Sequence, residues 1–286
     1  MKRWLCVVSA CIAATSPGGC VVFNDSCPVV EQETWGWLNV ELDIREQFVR
    51  QCEAPVGNLI ADAMANYPDY GVTDEQGLPI QSLVALINAG AIRDSVSCGS
   101  AGEESRASIP RGPVTNQDFL QLLPFQDSVV VASMTGTQLK QVLEWGVSAL
   151  GKAGDEGLEG HFLQIGATGG IKVTVDCGMP EQTLDASRKT IVEPGQRITG
   201  LEVFGQPYIP DGTYHVAVLD FMVGTDDLGV PNDGFASLQQ PGIRLQYTRI
   251  PLTEVVRVWL QQEHASEYPK VEGRMVYQNC DVNCSD

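Results

Sequence analysis

The sequence predicts an α+β fold of mixed sheets with flanking helices. Segments of helical period alternate with short apolar runs in an irregular order, not as repeating strand–helix units. The second half reads mostly as strands. The composition supports a packed core: of 286 residues, 43% are hydrophobic and 19% charged, which suits a globular chain and not a disordered one.

Taken in order, residues 56–67 (VGNLIADAMANY) predict a helix with Leu59, Ile60, Ala63 and Met64 on one face, stopping before Pro68. Residues 83–88 (LVALIN) read as a buried strand that delivers the loop 89–95. Residues 96–113 are rich in Gly, Ser and Pro and read as loop. Thr115 and Asp118 have capping-box spacing for a short helix to Leu123. Residues 128–134 (SVVVASM) predict a strand, and 137–150 a helix carrying Leu139, Val142, Leu143, Val147 and Leu150. Strands follow at 162–165, 170–176, 197–204 and 213–221, and an amphipathic helix at 253–264 closes the fold.

The N-terminus has the form of an export signal. Lys2 and Arg3 precede an apolar stretch over 4–14, too short to cross a bilayer as a helix. Small residues lead to Gly18-Gly19-Cys20, which resembles a lipoprotein site with Cys20 as the lipidated residue; Pro17 departs from the usual pattern, and ordinary cleavage nearby is the alternative. The expected organisation is a signal at 1–19, a leader at 20–49, one domain at 50–277 and a Cys-containing tail at 278–286. With Cys20 lipidated, Cys27, Cys52, Cys98, Cys177, Cys280 and Cys284 remain, an even set that suggests three disulfides of unspecified pairing. The location implied is the periplasm or outer cell envelope. The formal net charge of −18 disfavours nucleic acid and anionic membrane surfaces as partners.

Self-sufficient catalytic signatures are not evident. Residues 146–150 (GVSAL) end in Leu where a nucleophile elbow needs Gly, and no phosphate-binding glycine fingerprint appears. A two-metal phosphoesterase needs several His and carboxylates on its ions. His161, His215 and His264 lack ligand-like spacing and read as surface or strand residues.

Eight segments carry a resemblance: VGNLIADAM (56–64), INAGAIRDS (87–95), LPF (123–125), SVVVASMTGTQLKQVLEWGV (128–147), GHFLQIG (160–166), TYHVAVLDFM (213–222), NDGF (232–235) and YPKVEGR (268–274). In this order they resemble the C-terminal, nucleotide-binding domain of the 5'-nucleotidase family, over about residues 50–274. The resemblance implies a 5'-nucleotidase C-terminal-like fold that binds a nucleoside or nucleotide without a cofactor. It implies that hydrolysis requires a metallophosphatase domain, expected here on a separate chain. Asn88 would contact the base and Arg93 the phosphate, a role that suits the planar guanidinium fork. Phe125 and Phe221 would sandwich the base, and Asp233 would hold the ribose hydroxyls. The residues alone also fit blander roles: Phe125 and Phe221 in the core, Asn88 and Asp233 in turns, Arg93 paired with a carboxylate.

Several departures bear on function. Ala89 and Ala91 replace loop glycines, Asp226 and Asp227 sit in an acidic insert, and 66–70 has no base where a second phosphate-binding Arg is expected. Weakened phosphate binding and a preference for nucleosides are the expected result. A stand-alone nucleoside-binding module and a structural cell-surface protein with a degenerate pocket are the alternatives.

Overall fold

The computed structural model describes residues 31–97, 103–152, 154–224 and 232–284; the signal segment, Cys20, Cys27, Cys98 and the acidic pair Asp226-Asp227 lie outside them. The elements run β1 (Thr34–Leu38), β2 (Leu42–Asp43), α1 (Glu46–Val49), α2 (Pro55–Ala65), β3 (Val84–Asn88), β4 (Ser95–Ser97), β5 (Glu103–Ser105), β6 (Ser108–Ile109), β7 (Gly112–Thr115), α3 (Asn116–Leu122), β8 (Ser128–Thr135) and α4 (Gly136–Gly146). They continue with β9 (Leu163–Ala167), β10 (Ile171–Asp176), β11 (Thr183–Leu184), β12 (Ile191–Glu193), β13 (Ile198–Val203), β14 (Gln206–Pro207), β15 (Thr213–Leu219), α5 (Asp220–Val223), β16 (Arg244–Pro251), α6 (Leu252–Leu260) and β17 (Met275–Gln278). The class is α+β, as the sequence predicts.

A five-stranded mixed sheet in the order β16-β8-β15-β3-β9 forms the centre. β3 and β15 run parallel, and the remaining neighbours are antiparallel. All five residues of β3 are buried, as are the four from Val216 to Leu219 in β15. Strands covered on both faces lose the polar alternation of a half-exposed sheet and read as continuous apolar runs. A second, four-stranded sheet has the order β14-β13-β10-β17.

Helix α2 begins with Pro55 in its first turn, where the missing N–H costs nothing. Its burial exceeds the single face the sequence predicts: Val56, Ala61 and Ala65 are covered along with Leu59, Ile60, Ala63 and Met64. The helix is packed between the sheet, through β3 and β9, and α6. Close approach explains one glycine: a Cβ on Gly166 of β9 would stand 2.9 Å from the Ala61 carbonyl carbon. Leu163, three positions earlier on the strand, lies instead against Gly146 of α4. An odd spacing puts side chains on opposite faces of a strand, so α2 and α4 cover opposite faces of β9. Buried Glu144 of α4 accepts from the backbone N–H groups of Arg197 and Ile198 at 2.9 and 3.0 Å, which fastens this helix to the start of β13.

Three sequence expectations are corrected. Residues 34–49 belong to the fold and not to a leader: Trp35, Leu38, Leu42, Ile44, Phe48 and Val49 are buried, and β1 and β2 pair with β7 and β6. The 96–113 stretch therefore carries strand pairing and is not plain loop. His161 is buried and not a surface residue, stacked on Trp145 with ring centroids 4.4 Å apart. Burial, together with the charges of Arg188 and Lys152, pushes its pKa down to about 3. The capping box at Thr115 is present, with Asp118 Oδ2 accepting the Thr115 backbone N–H at 2.8 Å. Disulfides join Cys52 to Cys284 and Cys177 to Cys280, so the tail is stapled to the body of the domain. Among the described residues no helix is long and apolar enough to cross a membrane.

Candidate functional site

Strand direction gathers the candidate residues at one edge of the central sheet. Parallel β3 and β15 end there, with Asn88 closing β3 and Phe221 two positions beyond β15. Antiparallel β8 begins there, since Val129 pairs with Leu219, and Phe125 and Asp127 lie just upstream. Antiparallel β9 also begins there, Leu163 opposite Asn88, with Gly160 in the preceding turn. Clefts outside the carboxyl ends of parallel strands are a recurrent place for ligands.

All five residues singled out from the sequence line one cleft of ≈ 380 Å³: Asn88, Arg93, Phe125, Phe221 and Asp233, joined by Arg50, Asp127, Gly90, Ala91 and Gly160. This volume falls in the range of small-molecule sites. Phe125 is 46% and Phe221 36% exposed, whereas Phe119 and Phe235 are fully buried, so the first two are not core residues. Phe221 sits in the first turn of α5 and not in the strand predicted to reach it.

Asp233 and Gly234 take positive φ of 51° and 76°, the left-handed turn that an Asp-Gly pair favours. The indole N–H of Trp145 holds this turn, donating to the Asp233 carbonyl at 2.8 Å, and the Arg188 guanidinium adds a bond to the same oxygen at 3.4 Å. The Asp233 carboxylate faces the cleft and accepts from Asn88 Nδ2 at 3.2 Å. Asn88 Oδ1 is buried with no hydrogen-bond partner among the described residues, as is Arg50 Nε. A buried polar atom left unpaired is costly, and one lining a cleft is suited to a ligand's complementary group.

The loop alanines are compatible with this geometry. Ala89 and Ala91 belong to a 3₁₀ turn, and neither takes a positive φ. The close contact in the loop falls at Gly90, where a Cβ would lie 3.2 Å from Gly160 Cα.

Among the described residues two cations face the cleft. The Arg93 guanidinium stands 5.4 Å from the centre of the Phe125 ring, a cation–π arrangement. Arg50, at the C-terminal cap of α1, is the second. This arginine comes from before α2, whereas the 66–70 region after that helix carries no base. Both are paired with Glu46, whose Oε1 accepts from Arg93 and whose Oε2 accepts from Arg50, each at 2.8 Å. Asp127 lies near Asp220; burial first, and then that neighbouring charge, pushes the Asp127 pKa up to about 6.

Comparisons with known proteins agree with the geometry. The family model for the 5'-nucleotidase C-terminal domain matches residues 34–232. The chain is 27% identical over 260 residues to the trifunctional nucleotide phosphoesterase protein YfkN of Bacillus subtilis, covering 88% of this chain and 14% of that protein. It is 28% identical over 246 residues to the 5'-nucleotidase of Homo sapiens, covering 83% of this chain and 36% of that one. The crystal structure of a 5'-nucleotidase precursor from Thermus thermophilus superposes with a TM-score of 0.59 at 26% identity, over 86% of this chain and 40% of that chain. The chain thus spans little more than a third of the length of the curated relatives it matches, or less. With more than half of its residues matched by the family model, the chain belongs to the 5'-nucleotidase C-terminal domain family.

Proposed function

We propose that this protein is a nucleoside- or nucleotide-binding domain. In this reading Phe125 and Phe221 stack on the base, Asn88 contacts its edge, Asp233 accepts from the ribose hydroxyls, and Arg93 and Arg50 lie on the phosphate side. One observation carries it: two exposed phenylalanines and five polar side chains, drawn from five separate stretches of the chain, converge on a single cleft. Stacking of aromatic rings on a base is worth about 1–3 kcal/mol and tolerates any base. The alternative of a closed, purely structural pocket is disfavoured by the exposure of both rings.

Among the described residues no group of three or more His, Cys, Asp or Glu side chains is arranged to hold a metal ion. We propose that hydrolysis of a bound nucleotide is performed by a metallophosphatase domain on a separate chain. Export led by residues 1–19, with Cys20 as a lipid anchor to the cell envelope, is part of the same proposal, and the two disulfides among the described residues fit an oxidising compartment.

The test is thermal unfolding of the purified chain against a panel of nucleosides, nucleotides and nucleotide sugars, with phosphate release measured in the presence of Mg²⁺, Mn²⁺, Zn²⁺ or Co²⁺. A ligand that binds only the folded state raises the midpoint. A rise with at least one nucleoside or nucleotide and no metal-dependent phosphate release is expected. An unmoved midpoint across the panel would overturn the binding role; phosphatase activity that follows the protein through its last column would overturn the need for a partner.

A further inference from the structure

We infer that Glu46 is a built-in anion that occupies the phosphate seat of the cleft and turns its selectivity toward nucleosides, which carry no 5'-phosphate; the inference rests on the nucleotide-cleft reading above. The geometry is specific. The two oxygens of one carboxylate are divided between the two cationic side chains of the cleft, Oε1 to Arg93 Nη1 and Oε2 to Arg50 Nη2, both at 2.8 Å. A phosphate presents the same kind of oxygens to the same guanidinium donors, so it and Glu46 compete for them. The three side chains are only partly exposed, at 26% for Glu46, 19% for Arg50 and 33% for Arg93, so solvent screens their pairing incompletely.

Glu46 is held in place from both sides. It opens α1, its backbone N–H donates to Asp94 Oδ2 at 3.0 Å, and it stands one helical turn before Arg50. Arg50 Nη1 donates onward to the Leu158 carbonyl at 3.3 Å, which fixes the far side of the pair. The charge balance agrees. Arg50 and Arg93 share the cleft lining with the carboxylates of Asp127 and Asp233, and both are already ion-paired to Glu46, within a chain of formal net charge −18. A phosphate monoester brings about −1.5 to −2 of further charge at neutral pH. An uncharged nucleoside meets no such opposition, and it can use the phenylalanines, Asn88 and Asp233 with the Glu46 pairs left intact.

The experiment titrates the full chain and its Glu46→Gln variant with the four common ribonucleosides and their 5'-monophosphates by calorimetry. The expected result is that wild type binds its best nucleoside at least as tightly as the matching monophosphate. In Glu46→Gln the ratio of monophosphate to nucleoside affinity should rise about tenfold or more, since a unit charge beside the seat has been removed. A wild type that prefers the monophosphate tenfold, or a ratio unmoved in the variant, would overturn the role of Glu46 and leave the nucleotide reading standing. Failure of every nucleoside and monophosphate to bind either protein would overturn that reading and this inference with it. Should Glu46→Gln prove misfolded by circular dichroism, Glu46→Ala replaces it, and the wild-type ratio already decides the first half of the test.

Discussion

Asn88 and Asp233, 145 positions apart in sequence, meet through a hydrogen bond of 3.2 Å from Asn88 Nδ2 to Asp233 Oδ2. The bond links the end of β3 to the left-handed turn beyond α5, and it orients the Asp233 carboxylate toward the cleft. An ionised carboxylate only accepts, so its other lone pairs are available to ligand hydroxyls. Asp233→Asn keeps the shape but supplies a neutral amide. Affinity for a ribonucleoside should fall by about 1.5–3 kcal/mol, the worth of a hydrogen bond to a charged group. Affinity for the matching 2',3'-dideoxynucleoside should change much less. Equal losses for both ligands would remove the ribose assignment.

Phe221→Ala separates a clamp from a core residue. The loss of binding should be about 1–3 kcal/mol, roughly ten- to two-hundred-fold in affinity. Stability should drop by much less than the ~3–5 kcal/mol expected for a buried phenylalanine. Phe235, fully buried beside the same turn, is the internal control: Phe235→Ala should destabilise by the larger amount. Denaturation curves and binding titrations on both variants check this, and a reversed order of the two stabilities would be incompatible with it.

The raised pKa of Asp127 gives a pH dependence of definite sign. Its folded-state value, about 6, lies above the ordinary 3.8, so between these values the folded state binds more protons than the unfolded one. Stability from this group is fully present below the ordinary value and is lost as pH rises through about 6. Asp127→Asn should therefore gain in stability relative to wild type as pH is raised from 4 to 7, about the span of the two values. Urea unfolding of both proteins at several pH values measures the difference; a gap constant across that range would mean that Asp127 does not titrate there.

The tail should contribute strongly to stability. The Cys52–Cys284 bridge closes a loop of 232 residues, and chain entropy assigns about 5 kcal/mol to loops of this order. Strain and structure in the unfolded state lower such gains, so Cys52→Ser with Cys284→Ser should cost about 2–5 kcal/mol. Chemical denaturation of wild type and the double variant reads it directly, and a change below about 1 kcal/mol would mean that the tail holds little of the fold.

The reach of the sequence can be judged from particular residues. β3, β8 and α2 were legible because burial leaves long apolar runs or a clear helical period. Phe125, Phe221, Asn88, Arg93 and Asp233 were singled out through ordered motifs, and their convergence on one cleft is a property of strand direction that no single motif contains. Arg50 was missed because it caps a helix of four residues, too short to show a period. Glu46 was missed for another reason: its pairing with Arg93 spans 47 positions and leaves no local mark. Residues 34–49 read as leader because strands of two to five residues with mixed polarity give no periodic signal. The burial of His161 follows from its stack on Trp145 of α4, a contact between a helix and the turn before β9 that composition does not announce.

The arrangement of strand ends has a consequence for how the protein comes into being. Arg50, Asn88, Phe125, Phe221 and Asp233 are scattered along most of the chain, and they become neighbours only after β3, β8, β9 and β15 have taken their places. Such distant pairings are made late, because long loops must close before they are rewarded. A partly folded chain owns the residues but not the cleft, and a fragment that lacks either end of this span has neither the full set nor the cleft. Ligand retention is therefore a report on completion: it distinguishes a finished molecule from a merely compact one.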